Sequence, residues 1–142
     1  KALAKDLVAR IKANADLACR FELVSSLPGV GEIVAASLVL RMPELGRMRR
    51  GQAASLLGVA PFDRDSGATS GQRHIFGGRA RARRMIYLAA VVAKRLDRGF
   101  KAFAQRLAAN GKKPKVVIIA VMRKLIEAAN LVLGRGTAWL PA

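Results

Sequence analysis

RARARRMIYLAAVVAKRLDR, Arg79 to Arg98, is the stretch that decides the fold class. Met85, Leu88, Val92 and Leu96 recur at helical spacing, and Ile86, Ala89 and Ala93 broaden the stripe, so the segment reads as a long amphipathic core helix. Its first turn carries Arg79, Arg81, Arg83 and Arg84. Cations at a helix N-terminus oppose the macrodipole and cost stability, so these arginines are expected to serve an anion.

The same periodicity holds on both sides of this helix. Upstream, Leu3, Leu7, Ile11, Ala15, Ala18 and Phe21 predict one amphipathic helix over Ala2 to Val24, either covering the core or continuing an upstream coiled coil. An apolar helix over Glu32 to Met42 follows, ended by Pro43. A short helix over Gly51 to Leu57 packs Ala53, Ala54, Leu56 and Leu57 inward and stops at Gly58. Downstream, Phe100 to Ala109 presents Phe103 and Leu107, and a basic turn at Lys112 to Lys115 leads to a strongly apolar helix, Val116 to Leu133. That last helix belongs at the centre, with only Arg123, Lys124, Glu127 and Asn130 facing outward. Gly134 to Ala142, with Trp139, reads as an extended tail laid against the domain or a partner. The fold expected is all-α: a compact helical bundle, one domain over residues 1–142.

Charge sets the class of partner. Twenty-six Lys and Arg stand against 9 Asp and Glu, a formal net charge of +17, far beyond what solubility requires. A polyanion is the expected partner. No apolar run approaches the roughly 18 residues of a spanning helix, and the arginine-rich charge is spread along the chain, which favours nucleic acid over a membrane surface. Cys19, the single cysteine, sits in an apolar helical pattern and reads as a buried thiol, with no disulfide and no cysteine-based metal site. The chain opens at Lys1 in mid-helix without an initiator methionine, and is expected to be a piece of a longer protein.

Two stretches carry candidate chemistry. Pro28-Gly29-Val30-Gly31 is a glycine turn between helices that opens onto a helix N-terminus. Free amides and a positive dipole end can hold a phosphate there, with Gly29, Val30 and Gly31 as contacts; an ordinary helical hairpin needs the same glycines for geometry. The turn resembles a helix-hairpin-helix motif. The second stretch, Gly58 to Arg84, is glycine-rich and aperiodic, and sets Ser66 between Asp65 and Gly67 among Arg64, Arg73, Arg79, Arg81, Arg83 and Arg84. Backbone amides, guanidinium forks and one hydroxyl make an inventory for holding or attacking a phosphodiester. Ser66 is thus the candidate nucleophile and Arg64, Arg73, Arg79 and Arg83 the candidate phosphate holders; an Asp-Ser-Gly turn with no chemistry fits the same residues. His74 is a lone loop histidine, more often incidental than a base.

Taken in order, Pro28-Gly29-Val30-Gly31, Pro43-Glu44-Leu45-Gly46, Leu57-Gly58-Val59-Ala60-Pro61, Arg64-Asp65-Ser66-Gly67, Gly71-Gln72-Arg73, Ile75-Phe76-Gly77-Gly78-Arg79 and Leu88-Ala89-Ala90 resemble the C-terminal domain of the Piv-like DEDD insertion-sequence transposases, the bridge-RNA-guided recombinases. The resemblance runs from about Leu23 to Trp139. It implies a two-part enzyme: an upstream RuvC-like domain with four acidic ligands for Mg²⁺, and this domain, whose serine, matched by Ser66, attacks the scissile phosphate and becomes joined to DNA. It implies a catalytic loop, DNA and a guide RNA as partners, a dimer or tetramer at full length, and a bacterial cytoplasmic, nucleoid-associated setting. With the upstream domain absent, no metal or cofactor is expected on this chain, and the isolated domain is expected to be inactive. Two alternatives from other classes remain: a non-catalytic helix-hairpin-helix DNA-binding domain, and a guide-RNA-holding domain. Trp139, Tyr87 and the phenylalanines are too dispersed to stack unpaired bases.

Overall fold

The computed structural model describes residues 2–60 and 79–140. Seven helices and no strand occur among them: α1 Ala2–Ala13, α2 Ala15–Ser25, α3 Glu32–Arg41, α4 Gln52–Leu57, α5 Arg79–Leu96, α6 Arg98–Ala109 and α7 Pro114–Arg135. The all-α expectation holds. The helix α5 packs against α3, α4, α6 and α7, while α7 also meets α2, α4 and α6, so these two helices form the axis of one continuous apolar core.

The structure corrects the sequence reading at several points. The leading helix is two helices, because Asn14 leaves the helical conformation and its side chain accepts from Leu17 N, capping α2. Leu3 and Leu7 are exposed, and Val8 and Ile11 are the buried residues of α1. Cys19 is exposed, not a core thiol. In α7, Pro114 occupies the first helical turn, where its missing N–H costs nothing, so the helix starts before Val116. Asn130, expected at the surface, is buried at 8% exposure.

The largest correction concerns α5. Leu88 and Leu96 of the expected core stripe are 50% and 72% exposed, while Ala82, Ile86, Ala89, Ala90 and Ala93 are buried. The alanine face wins because small side chains let other backbones come close. Gly29, with φ +79°, is seated against this face: a Cβ there would overlap Ala89 O and stand 3.1 Å from Ala93 N. The tail also docks on the domain. Ser26 Oγ accepts from Trp139 N at 2.8 Å, and the indole packs on Phe100 at 6.0 Å between centroids.

Candidate nucleic-acid interface

Ser66, Arg64 and Arg73, with His74, lie outside the described residues. The flanks of that segment are described. On the upstream side, Gly58 closes α4 in the left-handed conformation, with its N–H donating to Ala54 O and Ser55 O. Val59 is buried, and its carbonyl accepts from Arg123 Nε at 3.0 Å. On the downstream side, Arg83 Nη1 donates to Leu57 O at 3.1 Å, tying the start of α5 to the end of α4.

Arg79 is held still more firmly. Its Nη1 donates to Arg41 O at 2.8 Å and to Glu44 Oε1 at 3.1 Å, and its Nη2 to Glu44 Oε2 at 2.5 Å. This two-pronged fork holds the Glu44 carboxyl below its ordinary range, chiefly through the hydrogen bonds from Arg79, with a smaller contribution from Glu44's own backbone. The basic first turn of α5 therefore has a protein partner of opposite charge, which offsets part of its conflict with the helix dipole. Arg81 and Arg84 are exposed. With Arg41 they rim a hollow of about 450 Å³ between α1, α3 and α5, floored by Leu7, Ile33 and Leu40.

The turn at Pro28 to Gly31 divides its labour by residue. Gly29 is committed to contact with α5 and Val30 is buried. Gly31 caps α3 with φ −88° and ψ −173°, has no atom within 4 Å of an added Cβ, and offers the helix no side-chain cap. Glu32 at the same helix start is paired with Lys12 Nζ at 3.3 Å.

Residues to which the sequence reading gave no functional role hold the arginine-bearing segment before α4. Asn130 Oδ1 accepts from Gly46 N at 2.6 Å and Nδ2 donates to Met48 O at 2.9 Å. Glu127 accepts from Gly51 N at 3.0 Å and Ala54 N at 2.8 Å, capping α4 from another helix. Arg20 Nη2 donates to Leu45 O at 3.0 Å. These contacts present Arg47, Arg49 and Arg50 as exposed cations. The pairings span 25 to 84 residues along the chain, and no local spacing signals them.

The described carboxylates do not assemble a Mg²⁺ site. Glu44, Glu127, Asp97, Glu32 and Asp6 each answer an arginine, a lysine or a helix N-terminus, and no group of three metal-ligating side chains occurs among the described residues. No helix among them is long and apolar enough to cross a membrane.

Fold and surface together define a class: an all-α domain with a strongly basic surface and an arginine-bearing helix at its centre. The family model for the transposase IS116/IS110/IS902 family matches residues 21–105, and the chain belongs to that family. It is 27% identical over 128 residues to the pilin gene-inverting protein of Moraxella bovis, and equally to that of Moraxella lacunata. Each match covers 87% of this chain and 39% of the relative, so the chain spans about two fifths of those proteins' length.

Proposed function

We propose that this chain is the DNA-facing, serine-bearing domain of an insertion-sequence transposase or site-specific recombinase. The observation that carries the reading is the extent of the family match, residues 21–105, which takes in the glycine turn, the Ser66 segment and the arginine helix together. The relatives are named for inverting a pilin gene, a DNA rearrangement of the same kind.

In this reading Ser66 Oγ attacks a backbone phosphorus. The Oγ–P bond forms as the P–O bond to the leaving strand breaks, and the proton lost by Ser66 is matched by one gained by the leaving hydroxyl. A serine hydroxyl is a weak nucleophile at neutral pH and needs activation. By the resemblance to the two-part transposases, that activation is assigned to the metal ligands of an upstream domain. Arg81 and Arg84 join Arg64 and Arg73 as phosphate holders, because they are exposed whereas Arg79 and Arg83 bond to protein partners. A guide RNA and assembly as a dimer or tetramer belong to the same proposal.

The test joins this chain to the remainder of its protein, with Mg²⁺, guide RNA and DNA, and looks for a protein–DNA adduct that survives denaturation. Ser66→Ala should abolish the adduct and keep DNA binding, since one hydroxyl adds little to a charge-dominated interface. Ser70→Ala, at a second serine of the same glycine-rich stretch, is the control. An adduct in the Ser66→Ala protein refutes the nucleophile assignment.

A further inference from the structure

The hollow between α1, α3 and α5, about 450 Å³ in volume, combines an apolar floor with a cationic lip. Leu7 from α1, Ile33 and Leu40 from α3, and Met85 from α5 form the floor. Leu7, Ile33 and Leu40 stay exposed although they are large and apolar. Apolar side chains gathered in one concavity mark a surface that a ligand covers. Ser37 belongs to the same lining, half-buried, and its Oγ is shielded from water without a hydrogen-bond partner. Buried hydroxyls are normally paired, so a rotation about χ1 that turns this one into the hollow would give it a partner on a ligand.

Lip and floor together narrow the ligand. Arg81 and Arg84 stand exposed at the lip, three residues apart on one face of α5, with Cβ atoms about 5–6 Å from each other. No carboxylate lines the hollow, so the negative charge has to come from the ligand. A paired duplex could bring phosphates to the arginines, but its bases are stacked inside and the aliphatic floor would stay wet. A nucleotide turned out of the stack meets both demands. Its flanking phosphates suit two guanidiniums, its base has apolar faces for the floor, and the base edge carries donors and acceptors for a hydroxyl. No aromatic residue lines the hollow, so it is a site for one base between aliphatic side chains and not a stacking platform for a run of them.

We propose that the hollow between α1, α3 and α5 receives a single unpaired base of a DNA strand whose flanking phosphates are held by Arg81 and Arg84. Captured in this way, the base keeps the duplex locally open. This rests on the DNA-facing reading of the arginine helix and is independent of any role for Ser66.

Fluorescence anisotropy tests this with three labelled DNA duplexes of equal length: fully paired, carrying one unpaired base at the centre, and carrying the same bulge without its base. The wild-type chain should bind the bulged duplex on the order of tenfold more tightly than the paired one, because the unpairing is already done. The abasic bulge should bind like the paired duplex. With 2-aminopurine as the bulged base, emission should rise on binding, since no aromatic side chain lines the hollow to quench it. Ser37→Leu fills the hollow and leaves every charge in place, so paired-duplex affinity should persist while the preference and the emission rise vanish. Ala4→Met, at a half-buried position of the same lining, serves if Ser37→Leu does not fold. The pair Arg81→Gln, Arg84→Gln should weaken binding of the bulged duplex and reduce its salt dependence by about 1.8, roughly 0.9 for each phosphate no longer neutralised. Equal affinity for the three duplexes, a preference kept by a folded hollow-filling variant, an unchanged arginine double variant, or tighter binding of the equivalent bulged RNA overturns the proposal. Each of these leaves paired-duplex binding, and with it the DNA-facing reading, in place. A wild-type chain that binds no duplex refutes both, and the Ser66 assay reads a covalent adduct separately.

Discussion

Gly29→Ala and Gly31→Glu should separate the structural glycine of the turn from the proposed functional one. Gly29 has φ +79° and lies against the α5 backbone. Alanine in the left-handed region costs about 1–2 kcal/mol. Its methyl group would overlap Ala89 O, and displacing a packed helix to admit it costs a further ~1–3 kcal/mol. The sum, about 2–5 kcal/mol, should lower the melting temperature on the order of 10 °C, at about 2–4 °C per kcal/mol for a chain near this size. Gly31 has extended backbone and open space around it, so Gly31→Glu should melt within a few degrees of wild type. Its DNA affinity should fall on the order of tenfold, about 1.4 kcal/mol, because a carboxylate then stands where the first-turn amides would meet a phosphate. Thermal melting by circular dichroism reads the first effect and fluorescence anisotropy with labelled duplex the second. A Gly29→Ala protein that melts like wild type refutes the packing of the turn on α5. Unchanged binding by folded Gly31→Glu reduces the turn to a helix connector.

Asn130→Ala should destabilise the domain by about 2–4 kcal/mol, since it strips acceptor and donor from Gly46 N and Met48 O in a half-buried setting; denaturant titration should show a lower midpoint with an unchanged slope. Glu44 has a lowered pKa in the fold, so the unfolded chain binds more protons between the folded and ordinary values, and stability falls as pH drops through that window. Its side chain is 42% exposed, which limits the contribution to under about 1 kcal/mol; Glu44→Gln should lower stability by up to that amount at neutral pH, leave it unchanged at the acid end, and so flatten the acid limb of a stability–pH curve. Cys19, being exposed, should react with a maleimide in the native state, and Cys19→Ser should alter stability by no more than about 0.5 kcal/mol.

Periodicity and punctuation carried most of the helix positions. The Gly58 stop, the Pro43 boundary and the inward face of Gln52–Leu57 follow from local steric rules. The break at Asn14 was written there too, as a side-chain cap, but an apolar repeat running through it obscured the signal. The buried face of α5 was not local information. Large residues at 88, 92 and 96 matched the stripe as well as alanines at 89, 90 and 93, and the choice fell to the alanines because Gly29 and neighbouring helices approach that side closely.

The sequence by itself determined the helical class, the basic charge that calls for a polyanion, and the blocks that resemble the transposases, because composition, period and motif order are properties of the chain read along its length. Tertiary structure alone decided which cations are spent and which are free. Arg79 and Arg83 are bonded to Glu44 and Leu57, while Arg81 and Arg84 stand exposed. A guanidinium's partner is set by which backbone or carboxylate folding brings within about 3 Å of it, and chain spacing does not encode that distance.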